Sequence, residues 1–276
     1  MLLVTGVSGG LGSLVAERLA GRDDVVLGTR AGLRGTRLVD FDEPGTLPEA
    51  FAGVETLLLI SAGYGEDDTV IARHEAAISA AERAGVGHIV YTSLSGDGDH
   101  LTYSLAHRWT ERRLRRAGVD WTVLRNGLYA EFLTWIATPD AGNRITGPLG
   151  EGRLAAVARE DLAEIAVTVA TAPAAHAGRT YELVGERPLG GADLARALGA
   201  EYAPGTLAEA RAALAASGAE SFQVPMLTGT YSAIAHGFMD GTGVKSSLRE
   251  LLGREPLDAL DVFVAAVRKG EGVRRG

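Results

Sequence analysis

Leu2-Leu3-Val4-Thr5-Gly6-Val7-Ser8-Gly9-Gly10-Leu11-Gly12 opens the chain, and its reading decides the fold. An apolar strand runs directly into glycines at positions 6, 9 and 12, and a helix is predicted over residues 13–20. A strand, a glycine turn and a helix N-terminus make a cradle for a pyrophosphate, because the first helical amides lack intrahelical partners and point at the ligand. Gly6 permits the sharp exit from the strand, Gly9 lets backbone N–H groups approach closely, and Gly12 lets the helix pack. The candidate phosphate contacts are Gly6, Ser8, Gly9, Gly10, Leu11 and Gly12, with Ser8 either bonding phosphate or capping the helix. The run Gly6-Val7-Ser8-Gly9-Gly10 also matches the G-x-S-x-G nucleophile elbow. That elbow needs an oxyanion-hole loop from an earlier strand, and none is expected ahead of residue 2.

Outward from this turn, strand and helix patterns alternate. Strands are predicted over 25–29, 36–40, 56–60, 88–92 and 121–124. Helices are predicted over 69–84, ending at Gly85, and over 105–117, ending at Gly118. This rhythm implies an α/β fold with a doubly wound parallel sheet. Beyond about residue 126 the pattern loosens into a helix at 162–172, a strand at 180–184, and helices at 192–198 and 207–216. Residues 1–126 are therefore read as a nucleotide-binding core. Residues 127–276 are read as a mixed region that completes the fold and caps the carboxyl edge of the sheet, where such folds bind ligands.

Bulk composition narrows the function classes. The chain has 276 residues and a net charge of −8, which disfavours a nucleic-acid partner. It has no Cys, so disulfides, thiolate metal sites and Cys nucleophiles are excluded. The six His show no metal-ligand spacing. Asp97-Gly98-Asp99-His100 reads as a polar turn, and Asp161 as a helix N-cap. No apolar run approaches the ~20 residues of a membrane span, and a cytoplasmic location is expected.

The second strand ends Gly28-Thr29-Arg30. NAD sites place an acid there for the ribose 2′-OH, whereas a guanidinium suits a 2′-phosphate. NADP(H) is thus favoured over NAD(H), the alternative being a solvated Arg30. Asp40 and Phe41 are expected at the adenine edge, and Ser61, Ala62 and Gly63 under the nicotinamide ribose. The Tyr-x-x-x-Lys pair of short-chain dehydrogenases is absent: Tyr103 and His107 keep the spacing, without a Lys. His107 either contacts the ribose, donates a proton, or lies on the helix surface. Ser93 stands at a strand end, placed for a substrate or ribose contact. Trp109, Trp121 and Trp135 read as core or pocket wall.

The phrases Gly53-Val54-Glu55-Thr56-Leu57-Leu58-Leu59-Ile60-Ser61, Tyr91-Thr92-Ser93-Leu94, Leu124-Arg125-Asn126-Gly127-Leu128-Tyr129 and Gly178-Arg179-Thr180-Tyr181-Glu182-Leu183 resemble the NmrA-like group of atypical short-chain dehydrogenases. Within it, the likeness is to bacterial type 2 NAD(P)H:quinone oxidoreductases. The resemblance implies a Rossmann core with a small C-terminal α/β part and the substrate in the cleft between them. It implies cofactor contacts at the glycine turn, Arg30 and His107, and the Thr110-Glu111 pair following His107 fits the group's pattern. Thr92 joins the expected cofactor contacts, and Asn126 and Tyr129 edge the nicotinamide pocket.

These readings combine into an NAD(P)H-dependent oxidoreductase that passes hydride to a quinone or similar conjugated carbonyl. Its partner is a small-molecule electron acceptor, with no nucleic acid or membrane, and a homodimer is an option. Catalytic candidates are His107, Ser93 and Tyr129. A non-catalytic redox sensor of the NmrA-like type and a tailoring reductase of secondary metabolism are the competing readings.

Overall fold

The computed structural model describes residues 1–32, 34–98 and 100–270. The chain forms two compact units. The first comprises Met1–Leu94, Leu105–Asn126 and Arg159–Glu182, and the second Ser95–Ser104, Gly127–Ala158 and Leu183–Gly276. The chain thus leaves the first unit at residue 94, returns at 105, leaves at 126 and returns at 159 for one more helix and strand.

The first unit carries β1 (Leu2–Val4), α1 (Gly10–Arg18), β2 (Val25–Thr29), β3 (Arg37–Leu38), α2 (Leu47–Ala50), β4 (Thr56–Leu59), α3 (Asp67–Ala84) and β5 (His88–Leu94). It continues with α4 (Ser104–Leu114) and β6 (Asp120–Asn126). The second unit then supplies α5 (Leu133–Ala137), β7 (Arg144–Ile145) and β8 (Arg153–Leu154), before α6 (Arg159–Thr171) and β9 (Arg179–Leu183) return to the first. The strands form a seven-stranded sheet in the order β3-β2-β1-β4-β5-β6-β9. Pairing from β3 through β6 is parallel, with Leu3 opposite Val26 and Leu57, and Tyr91 opposite Leu59 and Val123. The order reverses between β1 and β4, the switch point beside which doubly wound sheets bind ligands.

Strand residues alternate between two helical layers. Leu3, Leu57, Leu59, Ile89, Tyr91 and Val123 pack with Phe51 of the α2 end and Ala77, Ile78 and Ala81 of α3. The opposite face meets α6, which also packs on α1. All seven residues of β5 are buried, as expected of a central parallel strand covered on both faces.

Helix α1 begins at Gly10, earlier than the predicted residue 13, because the glycines at 10 and 12 are already helical. Gly6 sits at φ +69°, which an L side chain rarely adopts. A Cβ at Gly12 would lie 2.1 Å from the Gly6 carbonyl oxygen, so the helix starts in contact with the turn that precedes it. Asp161 is not an N-cap: α6 starts two residues earlier, at Arg159, and Asp161 is fully buried within its first turn.

A buried charge cluster ties the carboxyl half of the sheet together. Glu111 of α4 is 1% exposed. It accepts two bonds from Arg125 of β6, at 2.7 and 2.9 Å, one from Arg115 at 3.1 Å, and pairs with Arg108. Arg125 also reaches Glu182 of β9 at 2.8 Å. Burial alone would raise the Glu111 carboxyl pKa, but hydrogen bonds from Arg125 and the charge of Arg108 hold it below its ordinary value.

The second unit continues with β10 (Leu189–Gly190), α7 (Gly191–Leu198), β11 (Glu201–Tyr202), α8 (Leu207–Ala216), α9 (Gln223–Ala235), α10 (Leu248–Leu252) and α11 (Ala259–Lys269). Strand β8 pairs antiparallel with β10, and β7 parallel with β11. Leu133, Ile136, Ile145, Leu194, Leu227 and Phe263 are among its core residues. Tyr103 lies here, its hydroxyl 3.2 Å from Thr230 Oγ1, and burial pushes its pKa up to about 12. Trp135, expected in the core or a pocket wall, is instead 47% exposed.

Replacing Glu111 with Ala leaves Arg108 and Arg125 without their shared carboxylate, and should cost about 3–5 kcal/mol in urea unfolding. Gly12→Ala should cost on the order of 1–3 kcal/mol, since helix and turn must separate to admit one methyl group.

Candidate functional site at the carboxyl edge of the sheet

The ends of β1, β2, β4, β5 and β6 all belong to the first unit and share one edge of its sheet. At β1 the turn closes with Gly9 N–H donating to Gly6 O at 3.0 Å. The N-cap of α1 is Gly9, and no side chain caps this helix end. Ser8 is exposed and does not serve as the cap. An uncapped helix N-terminus behind a glycine turn has donor amides and a positive dipole end, the chemistry a diphosphate needs.

A second helix N-terminus adds a cation that the sequence patterns did not single out. A Cβ at Gly10 would lie 1.8 Å from Arg159 Nη1, so the Arg159 guanidinium rests directly against the first residue of α1. Arg159 is the first residue of α6, and Arg18 of α1 bonds Glu160 beside it at 2.7 Å. No local sequence signal pointed to it, since 32 residues of the other unit's chain separate Asn126 from Arg159.

Arg30 is exposed immediately after β2. Asp42, beyond β3, is held below the usual carboxylate range by its hydrogen bonds to Arg73, with the charge of Arg30 adding to the effect. Asp40 and Phe41 are half-buried after β3, and Asp40 accepts the Asp42 N–H at 3.0 Å. Beyond β4, Ile60 N–H donates to Thr5 Oγ1 and Ser61 N–H to Thr92 Oγ1, at 3.2 and 2.9 Å. Thr92 is 4% exposed. Ser61 and Ala62 are half-buried and Gly63 is exposed.

The two candidates near β5 are less free than their positions suggested. Ser93 is 5% exposed, and its hydroxyl donates to Glu111 Oε1 at 2.7 Å. That proton is committed to the buried carboxylate. His107 is half-buried, with Nδ1 2.8 Å from the Tyr91 hydroxyl. Burial, reinforced by Arg108, lowers its pKa to about 4 against a smaller opposing pull from Glu111. The ring is uncharged at neutral pH, so the imidazolium form that a general acid would use is scarce. Tyr91 is fully buried, and burial pushes its phenol well above its ordinary value. Asn126, at the end of β6, is 4% exposed, and its Oδ1 has no hydrogen-bond partner. A buried unpaired acceptor is costly unless another group satisfies it.

Tyr129 belongs to the second unit, where it bridges to Val157 and leads into a short 3₁₀ turn. In the same unit a cavity is lined by Gly127 and Leu128 together with His100, Val184, Phe238 and Met239. Its walls are mostly apolar, and Phe238 is 63% exposed. Among the described residues no group of His, Cys, Asp and Glu could hold a metal, and no helix is long and apolar enough to cross a membrane. Asp99 of the expected polar turn lies outside the described residues.

Residues 6–173 match the family model of NAD(P)H-binding proteins. Quinone oxidoreductase 2 of Escherichia coli (strain K12) is 34% identical over 202 residues, spanning 67% of this chain and 69% of that protein. The crystal structure of an NADPH-dependent quinone oxidoreductase from Escherichia coli complexed with NADPH aligns with a TM-score of 0.86 at 28% identity, covering 97% of this chain and 100% of that one. The Citrobacter sp. triphenylmethane reductase complexed with NADP(H) aligns with a TM-score of 0.84 at 27% identity, covering 96% and 99%. With this family model covering more than half of the chain and this likeness over nearly its whole length, the chain belongs to the NAD(P)H-binding family, as an oxidoreductase related to quinone and dye reductases.

Proposed function

We propose that this protein is an NADPH-dependent reductase whose acceptor is a quinone or similar conjugated carbonyl compound. The observation that carries the cofactor preference is Arg30, an exposed guanidinium directly after β2, where an NAD site would place an acid. In this reading the amides of Gly9, Gly10, Leu11 and Gly12, the Gly6 turn, Ser8 and Arg159 hold the diphosphate. Arg30 meets the 2′-phosphate, and Asp40 and Phe41 edge the adenine. Ser61, Ala62, Gly63, Thr92 and His107 hold the nicotinamide ribose. When bound, the nicotinamide supplies a hydride.

The chain's own polar groups suit an acceptor that asks for little acid–base help. Tyr103 is followed four residues later by His107, not by a Lys that would lower a phenol pKa. Ser93 gives its proton to Glu111. His107 is neutral, with Nδ1 engaged by the Tyr91 hydroxyl, and its Nε2 is assigned to a ribose oxygen. A quinone is a strong hydride acceptor whose reduced oxygens take protons readily from water, so positioning outweighs a tuned dyad. Asn126 and Tyr129 are assigned to the acceptor, Asn126 because its buried Oδ1 lacks a donor.

Incubation of the protein with NADPH and small quinones should consume NADPH absorbance. Tight NADPH binding without turnover on any acceptor would instead favour the redox-sensor reading, which the commitment of Ser93 to Glu111 also accommodates. Arg30→Asp should weaken NADPH by about 2–3 kcal/mol while affecting NADH little; equal losses would remove Arg30 from phosphate recognition. Arg159→Ala should weaken both cofactors alike, by about tenfold or more, because the diphosphate is common to them. With His107 lowered to about 4, kcat/KM should be flat from about pH 6 to 8, and a limb near the ordinary imidazole pKa would show that the ring titrates in use.

A further inference from the structure

Helix α3 reaches back to the segment after β4 with two adjacent side chains. His74 is completely buried, yet none of the sequence patterns called for a polar residue there. Its Nε2 accepts the Ala62 N–H at 3.0 Å and lies 3.4 Å from Ser61 Oγ. Its Nδ1 is 2.8 Å from Thr110 Oγ1, and that hydroxyl donates to the Ala106 carbonyl of α4 at 2.7 Å. The Thr110 proton is therefore used, and Nδ1 must carry the hydrogen. Only one protonation state serves both ends: neutral imidazole with the proton on Nδ1 and a lone pair on Nε2.

Arg73, the preceding residue, holds the other side of the segment. Its Nη1 donates to the Tyr64 carbonyl at 2.6 Å, and its Nε and Nη2 fork onto the Asp42 carboxylate at 2.6 and 2.8 Å. Residues 61–64 are thus gripped at an N–H and at a carbonyl by neighbouring residues of one helix. Tyr91 lies edge-on to the His74 ring at 5.4 Å between centroids, and His107 bonds Tyr91 from α4. One polar core therefore supports both the β4 loop and the His107 ring.

We infer that His74 is a positioning residue for cofactor binding: as a fixed neutral tautomer it sets the Ser61–Ala62 peptide at the edge where the nicotinamide ribose would lie. This rests on the cofactor placement given under the proposed function. His74 does not itself face that edge, since it is sealed inside the first unit. It acts through the loop it holds. A purely apolar residue would fill the same space but leave the Ala62 N–H without its acceptor, and an unsatisfied amide would turn to find one. Burial lowers the His74 pKa to about 3, and the nearby charge of Arg73 acts in the same direction, which keeps the accepting lone pair available.

The test combines a spectroscopic and a kinetic measurement. In the cofactor-free protein, two-bond ¹H–¹⁵N correlation spectra should show the His74 ring with a protonated Nδ1 and a bare Nε2. The opposite tautomer, or a charged ring at neutral pH, would overturn the inference even if no variant folded. His74→Leu should raise KM and the dissociation constant for NADPH about tenfold or more with kcat within about threefold. His74→Gln, which restores an acceptor near the Nε2 position, should recover most of that affinity. Unchanged NADPH affinity in a folded His74→Leu protein would refute the positioning role, as would equal losses in both variants. If the wild-type protein binds no pyridine nucleotide, the cofactor reading fails instead, and the tautomer result still stands or falls separately.

Discussion

The contact between Gly12 and the Gly6 carbonyl is the constraint on which the site is built. No Cβ fits at residue 12, and Gly6 takes a left-handed conformation, so α1 starts within the turn that leaves β1. The short start brings an uncapped helix end to the switch point of the sheet. With α6 packed beside α1, a second helix delivers Arg159 to Gly10. Steric permission at two glycines thereby sets main-chain amides, a helix N-terminus and one guanidinium side by side.

Polar burial in the first unit takes two forms. Around Glu111 the groups are charged and mutually compensating, linking α4, β6 and β9 through Arg125 and Glu182. Around His74 and Tyr91 they are neutral, and hydrogen-bond direction rather than charge specifies the arrangement. The first kind resists separation of elements, because removing one partner strands a desolvated ion. The second kind sets loop geometry, since each donor and acceptor admits few alternatives in a dry interior. Ser93 belongs to the charged set although its place at the end of β5 suggested chemistry.

Much of the fold was legible because its signals are local. The apolar run of β5, the glycine turn and the Gly85 cap each lie within a few residues of what they determine. Arg159 and His74 were not legible, because their partners, Gly10 and Ala62, come from other elements. Asp161 was misread as a cap because the turn of helix before it, Arg159-Glu160, carries no apolar periodicity. The phrases Leu124-Arg125-Asn126 and Tyr181-Glu182-Leu183, which carried the family resemblance, owe their charged residues to an ion pair between neighbouring strands. They report architecture more directly than chemistry.

The path of the backbone through the two units has a consequence for how this protein can diversify. Six segments alternate between the units, so five joints connect them. Helix α6 and strand β9 are threaded into the sheet only after residues 127–158 have been laid down elsewhere. Exchanging any single contiguous cassette therefore transfers either an incomplete sheet or an incomplete second unit. Recombination is a poor route to new acceptor ranges in such a chain, and change confined to individual side chains is the open one.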